Sequence, residues 1–163
     1  MANPPARIVD PANLQALFYK IMERYQVKAN EIKNLKVALV DVHGHGLFDC
    51  FKCYHSWYSH YSWVQLDLKE MKVNYRWKMK CQKCYRGHPA AAVGIKPTFG
   101  VEEMEKMIEN AVCRYKGVEF PKKNPGNRRR HEFVPPHFSE LCEKCGWGQV
   151  QCWTLPPYSS FKA

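Results

Sequence analysis

The sequence predicts an α+β fold in which a small antiparallel β-sheet, built on a zinc-ribbon-like hairpin and stabilised by zinc, packs with two helices. Three observations predict it: three Cys-x-x-Cys pairs, an aromatic and β-branched stretch between the first two pairs, and two amphipathic helical patterns. At 163 residues and 45% hydrophobic content, the chain is long enough for little more than one compact domain. We therefore expect these elements to pack together.

The first element is an N-terminal helix. Asp10 is placed to cap it, and Pro11 suits its first turn. The apolar positions that follow recur at helical spacing and share one face: Leu14, Leu17, Phe18, Ile21, Met22 and Tyr25. A short β-rich segment at 36–42 comes next, and the sequence HGHG at 43–46 predicts a turn. Residues 1–45 are thus assigned to a helix and a strand that pack on the rest.

Residues 57–68 and 71–79 predict the two strands of the hairpin. Along the second strand the apolar side chains fall on one face: Val73, Tyr75, Trp77 and Met79. Polar and basic side chains fall on the other: Lys72, Asn74, Arg76, Lys78 and Lys80. One face is therefore apolar and the other basic, and we expect Trp57, Trp63 and Trp77 to lie in the core.

A second helix is predicted over residues 101–116, where Gly117 supplies a C-terminal stop. Its apolar stripe, expected to pack on the hairpin, comprises Val101, Met104, Ile108, Ala111, Val112 and Tyr115. Residues 120–136 then combine four prolines with five Lys or Arg side chains, a composition that predicts an exposed basic loop. This loop lies within a zinc-binding domain assigned to residues 46–154, and residues 155–163 form a C-terminal tail.

The N-terminal residues lack the apolar core of a secretory signal, and no apolar run approaches the length of a membrane span. We therefore expect a cytoplasmic protein, with the nucleus as the other reducing compartment. Paired cysteines in such compartments are far more often metal ligands than disulfides. The eight cysteines are accordingly interpreted as a metal-binding set.

The Cys-x-x-Cys spacing aims both sulfurs of a pair at one tetrahedral metal ion. The first two pairs lie at opposite ends of the predicted hairpin, so antiparallel pairing of its strands brings them together. The first predicted zinc site comprises Cys50, Cys53, Cys81 and Cys84. Three pairs also permit an interleaved arrangement in which the two sites exchange pairs.

The third pair, Cys142 and Cys145, needs two further ligands. His137 and Cys152 flank it at short spacing and complete the second predicted site. Cys113 is the competitor for one of these positions, although a lone cysteine near the end of an amphipathic helix is more often a small buried apolar residue. We therefore expect two Zn²⁺ ions per chain.

Several segments together resemble a known family. LFDCFKCYHSWYSHYSWVQLDL, MKCQKC, KPTF and HFSELCEKCGWGQVQC appear in the order found in the three-CxxC zinc-finger domain of receptor-transporting proteins and zygote-arrest proteins. The resemblance covers about residues 46–153. It places the same eight residues on the family's metal-binding positions and leaves Cys113 outside them.

The charge pattern favours RNA as a partner. Lys and Arg number 25 against 15 Asp and Glu, giving a formal charge of +10. The predicted phosphate contacts are Lys72, Arg76, Lys78 and Lys80 on the basic strand face, with Lys122, Lys123, Arg128, Arg129 and Arg130 in the loop. Tyr54, Tyr58, Tyr61 and Trp147 are candidates for stacking on unpaired bases. The resemblance also implies RNA binding.

The alternative is a cytosolic adaptor that binds a partner protein, as the resemblance to receptor-transporting proteins implies. The N-terminal helix or the proline-containing segment at 155–158 would then contact the partner. We expect no enzymatic activity in either case. Four Cys or His ligands per zinc leave no position for a reactive water, and the strand-like flanks of the cysteine pairs do not suit a thioredoxin-like redox site.

Overall fold

The computed structural model describes residues 11–33, 38–119, 121, 137–148, 151–152 and 158–162. Within these residues the α-helices are α1 (Pro11–Arg24), α2 (Ala29–Lys33), α3 (Gln82–Gly87), α4 (Val101–Lys116) and α5 (Glu143–Gly148). The strands are β1 (Leu39–Asp49), β2 (Ser56–Asp67), β3 (Lys72–Arg76), β4 (Met79–Lys80), β5 (Gly94–Ile95) and β6 (Tyr158–Lys162). The helices and antiparallel sheets confirm the predicted α+β class.

The main sheet has four antiparallel strands in the order β3-β2-β1-β6, and β4 pairs with β5 in a second, two-stranded sheet. The long pairing of β1 with β2 runs from Leu39 opposite Asp67 to Asp49 opposite Ser56. β1 continues through residue 45, so the N-terminal segment and the cysteine-rich segment share a strand. This long central pair carries one metal-binding segment at its end.

The predicted turn at 43–46 is wrong, because β1 runs straight through these residues with an irregularity between Gly44 and Gly46. The two glycines serve close packing instead of chain reversal. A Cβ atom on Gly44 would lie 2.7 Å from Met107 Sδ of α4, and one on Gly46 would lie 2.6 Å from Ser62 Oγ of β2. Hydrogen atoms at these positions let a helix and the neighbouring strand approach the β1 backbone.

The hairpin of β2 and β3 is present, and the Asp67 carboxylate accepts hydrogen bonds from the backbone N–H groups of Lys69 and Glu70 at 3.0 Å in its turn. The predicted second strand is broken after Arg76, where the Trp77 N–H donates to the Trp63 carbonyl. The predicted alternation persists across the break. Val73 and Tyr75 are half-buried, Trp77 and Met79 are buried, and Lys72, Asn74 and Lys80 are exposed.

One hydrophobic core, which we call the helix-side core, lies between the helices and the sheet. Helix α4 has the predicted bounds and ends at Gly117, whose φ of 71° is left-handed. It packs on β1, α1 and β6, whereas we predicted packing on the hairpin. The largest fully buried side chains of this core are Phe18, Ile21, Leu66, Leu68, Met107 and Ile108. No helix among the described residues has the length and apolar character needed to cross a membrane.

A second core, which we call the cysteine-side core, surrounds the cysteines at the other end of the β1–β2 pair. Its members are Phe48, Trp63, Trp77, Met79 and Ile95 together with five buried cysteines. Trp63 and Trp77 are buried as predicted, while Trp57 is only half-buried against this core. This core holds the residues of the candidate site.

Candidate metal centre

Two Cys-x-x-Cys pairs meet at the end of the hairpin, as the sequence predicted. Cys50 Sγ lies 3.7 Å from Cys84 Sγ, and Cys53 Sγ lies 3.6 Å from Cys81 Sγ. All four sulfur atoms lie within 4.8 Å of one another. We call this four-cysteine group the first cluster.

Tight turns aim the paired sulfurs inward. The Tyr54 N–H donates to the Cys50 carbonyl at 2.9 Å, and Tyr54 takes a left-handed φ of 61° as the chain reverses into β2. The Tyr85 N–H donates to the Cys81 carbonyl at 2.9 Å, which begins α3. Each pair therefore sits on a single hydrogen-bonded turn, the arrangement that brings two sulfurs to one metal.

The third pair assembles the second cluster with the two flanking residues that the sequence singled out. Cys142 Sγ lies 3.9 Å from Cys152 Sγ, and His137 Nε2 lies 3.1 Å from Cys152 Sγ and 3.4 Å from Cys145 Sγ. The Cys152 N–H also donates to Cys145 Sγ at 3.2 Å. The four ligand atoms again lie within 4.8 Å of one another.

Cys113 belongs to neither cluster. It is buried in α4 within the helix-side core, beside Tyr25, and burial raises the pKa of its thiol. The described residues contain two groups of ligand-bearing side chains, and neither includes Cys113 or exchanges pairs with the other. The interleaved arrangement and the Cys113 alternative are therefore not what the structure displays.

The spacing within both clusters fits tetrahedral zinc. Ligands at the usual Zn–S distance of about 2.3 Å place two sulfurs about 3.8 Å apart, and a Zn–N distance of about 2.0 Å places nitrogen about 3.5 Å from sulfur. The sulfur separations of 3.6 to 3.9 Å match the first value, and the His137 separations of 3.1 and 3.4 Å lie close to the second. Each cluster can therefore hold one zinc ion, confirming the expectation of two per chain.

The thiols of the first cluster differ in pKa, and the shifts are opposite in direction. Burial acts to raise the pKa of Cys50, but hydrogen bonds from the Cys53 and Lys52 backbones outweigh it, and the pKa falls to about 7. A hydrogen bond with Cys53, followed by burial, raises the pKa of Cys84 to about 12, and burial raises that of Cys81. The protein alone thus favours a thiolate at Cys50 over thiolates at Cys81 and Cys84, and a divalent cation would favour the thiolate form at these positions.

The thiols of the second cluster likewise have pKa values shifted in opposite directions. A hydrogen bond with Cys152, followed by one with His137, lowers the pKa of Cys142 to about 4 against the effect of burial. The hydrogen bond with Cys142 raises the pKa of Cys152, and burial raises that of Cys145. Zinc binding must therefore displace protons from this cluster as well.

A buried ion pair fastens the second cluster to the main sheet. Lys144, between the two cysteines of the third pair, places Nζ 2.9 Å from Asp41 Oδ2 and 4.1 Å from the ring centroid of Trp77. Gln65 Nε2 donates to the other Asp41 oxygen at 3.0 Å. Sequence reasoning missed this contact. The signal was a charged residue at 41 between the apolar residues Val40 and Val42, but nothing in the spacing pointed to its partner.

The predicted RNA-contacting residues are placed differently from one another. Lys72 and Lys80 are exposed, whereas Lys78 is half-buried. Arg76 Nη1 donates to the Pro97 carbonyl at 2.9 Å, so its guanidinium supports a loop of the fold. Lys122, Lys123, Arg128, Arg129 and Arg130 lie outside the described residues.

The candidate stacking residues also differ in their environments. The side chains of Tyr54 and Tyr58 are exposed, at 86% and 41% of their area. Tyr61 is half-buried, with its ring centroid 5.5 Å from that of His43 and 5.4 Å from that of His137. The side chain of Trp147 lies outside the described residues. Of the three whose side chains the structure describes, Tyr54 and Tyr58 thus offer an exposed ring to an incoming base.

Comparison with known proteins supports the metal-binding interpretation. A family model for a zinc-binding domain, the 3CxxC zinc ribbon, matches residues 43–148, which is more than half of the chain. The matched range includes seven of the eight cluster residues, and Cys152 lies just beyond it. No curated protein and no solved structure matches the chain.

Proposed function

The chain belongs to the 3CxxC zinc-ribbon family of zinc-binding domains, and from this premise we propose that it is a non-enzymatic protein that binds single-stranded RNA. Zinc is structural in this proposal. Each cluster supplies four Cys or His ligands, which fill a tetrahedral zinc and leave no position for a reactive water. The protein would act in the cytoplasm, with the nucleus as a second location.

One observation carries the RNA proposal: exposed aromatic and basic side chains surround the first cluster. Phe51 and Tyr54, on the turn that holds Cys50 and Cys53, are exposed at 65% and 86% of their area. Lys83 and Arg86, on the turn and helix that follow Cys81, are exposed as well. Rings that can stack on bases beside cations that can contact phosphates are what single-stranded nucleic acid requires.

The finer resemblance to receptor-transporting and zygote-arrest proteins also supports RNA binding, since it implies an association with RNA. The alternative function, binding of a partner protein, has less structural support. Helix α1, which would offer a partner its apolar face, buries Phe18, Ile21 and Met22 against the helix-side core. The other candidate surface is the segment at 155–158, of which residues 155–157 lie outside the described residues.

The proposal predicts salt-sensitive binding. Contact with about four to six phosphates should make the logarithm of the association constant fall with the logarithm of salt concentration, with a slope of about −3 to −4 for single strands. We would measure this by fluorescence anisotropy, using the zinc-loaded chain and a labelled decauridylate. The double variant Lys83→Ala/Arg86→Ala, which removes the two exposed cations beside the first cluster, should flatten the slope by about 0.7 for each charge removed.

A matched double variant, Lys28→Ala/Lys116→Ala, removes two exposed lysines from the helical side of the molecule and should leave the slope unchanged. Zinc content should stay at two per chain in both variants, as native mass spectrometry can verify. If the zinc-loaded chain bound no RNA even at low salt, or if both variants lost affinity equally, the proposed basic surface would be wrong.

A further inference from the structure

A cleft of about 450 Å³ lies between the two metal clusters. One side comes from the start of β2, a second from β4 and α3 around the first cluster, and a third from the segment of the second cluster that begins at His137. Met79 and Leu141 supply buried apolar surface. The volume falls within the range of about 300–1,000 Å³ typical of small-molecule sites.

Aromatic rings form the β2 side of the cleft. The rings of Phe48 and Trp57 are stacked, with centroids 5.1 Å apart and planes 8° from parallel. His55 stacks on Trp57 in the same way, at 5.8 Å and 15°. Trp57, His55 and the exposed Tyr58 line the cleft. Aromatic rings that line a cleft favour a flat occupant with a π-face over a branched aliphatic one.

The charged groups of the cleft are all of one sign. Lys80 and Arg86 line it and are exposed, and no Asp or Glu lies among its described lining residues. Neither cation has an ion-pair partner in the part of the chain that the structure describes. Ser59 and Gln82 add hydroxyl and amide groups that can hydrogen-bond. The lining therefore suits a planar, hydrogen-bonding group attached to an anion.

We propose that this cleft binds one unpaired nucleobase of single-stranded RNA, with the adjoining phosphate held by Lys80 and Arg86. The base would enter against Trp57, His55 and Tyr58, and Gln82 and Ser59 would face its polar edge. The inference rests on the proposed RNA binding and assigns it a base-accepting site in this cleft. Its lining comes from segments of both clusters, so both must be folded for it to exist.

The test separates base recognition from phosphate attraction. Binding of the zinc-loaded full chain is measured by anisotropy with labelled decauridylate and with a strand of equal length that carries riboses and phosphates but no bases. Base stacking on an aromatic site should make the base-containing strand bind about tenfold more tightly. Tyr58→Ala, and Gln82→Trp as a variant that fills the cleft, should reduce this preference to within about twofold while leaving binding of the base-free strand intact.

Tyr19→Ala is the matched control, because Tyr19 is a similarly exposed tyrosine on α1, 56% exposed. It should retain the tenfold preference. Arg86→Gln should weaken binding of both strands by a similar factor and flatten the salt slope by about 0.7. Every variant is first shown to hold two zinc ions by native mass spectrometry, so that a misfolded chain is not counted.

The outcomes distinguish this inference from the proposed function. If the wild-type chain binds neither strand, RNA binding itself is wrong and the cleft assignment falls with it. If it binds both strands equally, RNA binding stands and the cleft assignment is overturned. This is the result expected if the cleft instead binds an apolar side chain of a partner protein. If Phe51→Ala removes the preference and Tyr58→Ala does not, bases stack on the exposed turn and the cleft is again excluded.

Discussion

Lys144 illustrates how one residue can link a metal cluster to the rest of the molecule. Its side chain is 13% exposed and that of Asp41 is 11% exposed, so this ion pair is largely removed from water. Desolvation makes such a pair costly to form and more costly to break, because the remaining partner is left buried and uncompensated. The nearby Trp63 and Trp77 rings add cation–π contacts at 5.1 and 4.1 Å.

We therefore expect Lys144→Met to destabilise the zinc-loaded protein by about 3–5 kcal/mol, the usual result of removing one partner of a buried pair. Urea unfolding followed by tryptophan fluorescence measures this. The additional substitution Asp41→Asn should recover part of the loss, because the buried charge then disappears. Lys106→Met is the matched control: Lys106 is 44% exposed and lies 3.9 Å from Glu103, so it should cost at most about 1 kcal/mol. Equal effects of the two lysine substitutions would contradict the argument.

At the scale of the elements, β1 depends on its glycines for close packing. Ser62 on β2 is fully buried, and its Oγ would lie 2.6 Å from a Cβ atom placed on Gly46. A methyl group at position 46 would overlap Ser62, and overpacking of this kind costs about 1–3 kcal/mol.

Gly46→Ala should accordingly lower the urea midpoint, and Ser62→Gly should restore part of the loss by removing the opposing side chain. Gly87→Ala is the control, since an added Cβ there has no atom within 4 Å among the described residues. An unchanged midpoint for Gly46→Ala would show that the strands separate easily at this position.

Elements were predictable where several local signals agree. The bounds of α4 follow from an apolar stripe and a terminal Gly117, both of which favour the same helix. The HGHG segment has the composition of a turn. Its glycines are instead required by the close approach of Met107 and Ser62, which lie elsewhere in the sequence. Such tertiary constraints leave no local pattern. The same limit hid the Asp41–Lys144 pair, whereas the metal ligands were predictable because coordination imposes its spacing on the sequence.

The whole molecule has two cores that share the β1–β2 pair. The helix-side core is formed by apolar side chains of α1, α4 and the sheet, whereas the cysteine-side core includes the metal ligands themselves. Zinc-binding free energy is therefore part of the folding free energy of the second core. The tertiary structure there should depend on metal far more than the packing of α1 on α4 does.

We expect Cys81→Ser and Cys142→Ser each to lose at least one zinc per chain and cooperative melting of the cysteine-side core. Native mass spectrometry counts the metal, and hydrogen exchange reports which segments open. Exchange should rise in residues 79–95 and 137–148 before it rises in α1 and α4. Cys113→Ser, the matched control, should keep two zinc ions. Loss of one zinc from Cys113→Ser, or none from Cys142→Ser, would refute the ligand assignment.

The position of β6 at the edge of the main sheet has a consequence for synthesis on the ribosome. Val42 of β1 pairs opposite Tyr158 of β6, more than a hundred residues later in the chain. At roughly 5–20 residues per second, the open edge of β1 waits on the order of ten seconds for its final neighbour. The first cluster is translated well before that strand and the second cluster only shortly before it. During this interval the nascent chain has one complete set of metal ligands and one unpaired sheet edge. Early zinc binding would order the hairpin. The exposed edge of β1 would meanwhile need protection by chaperones.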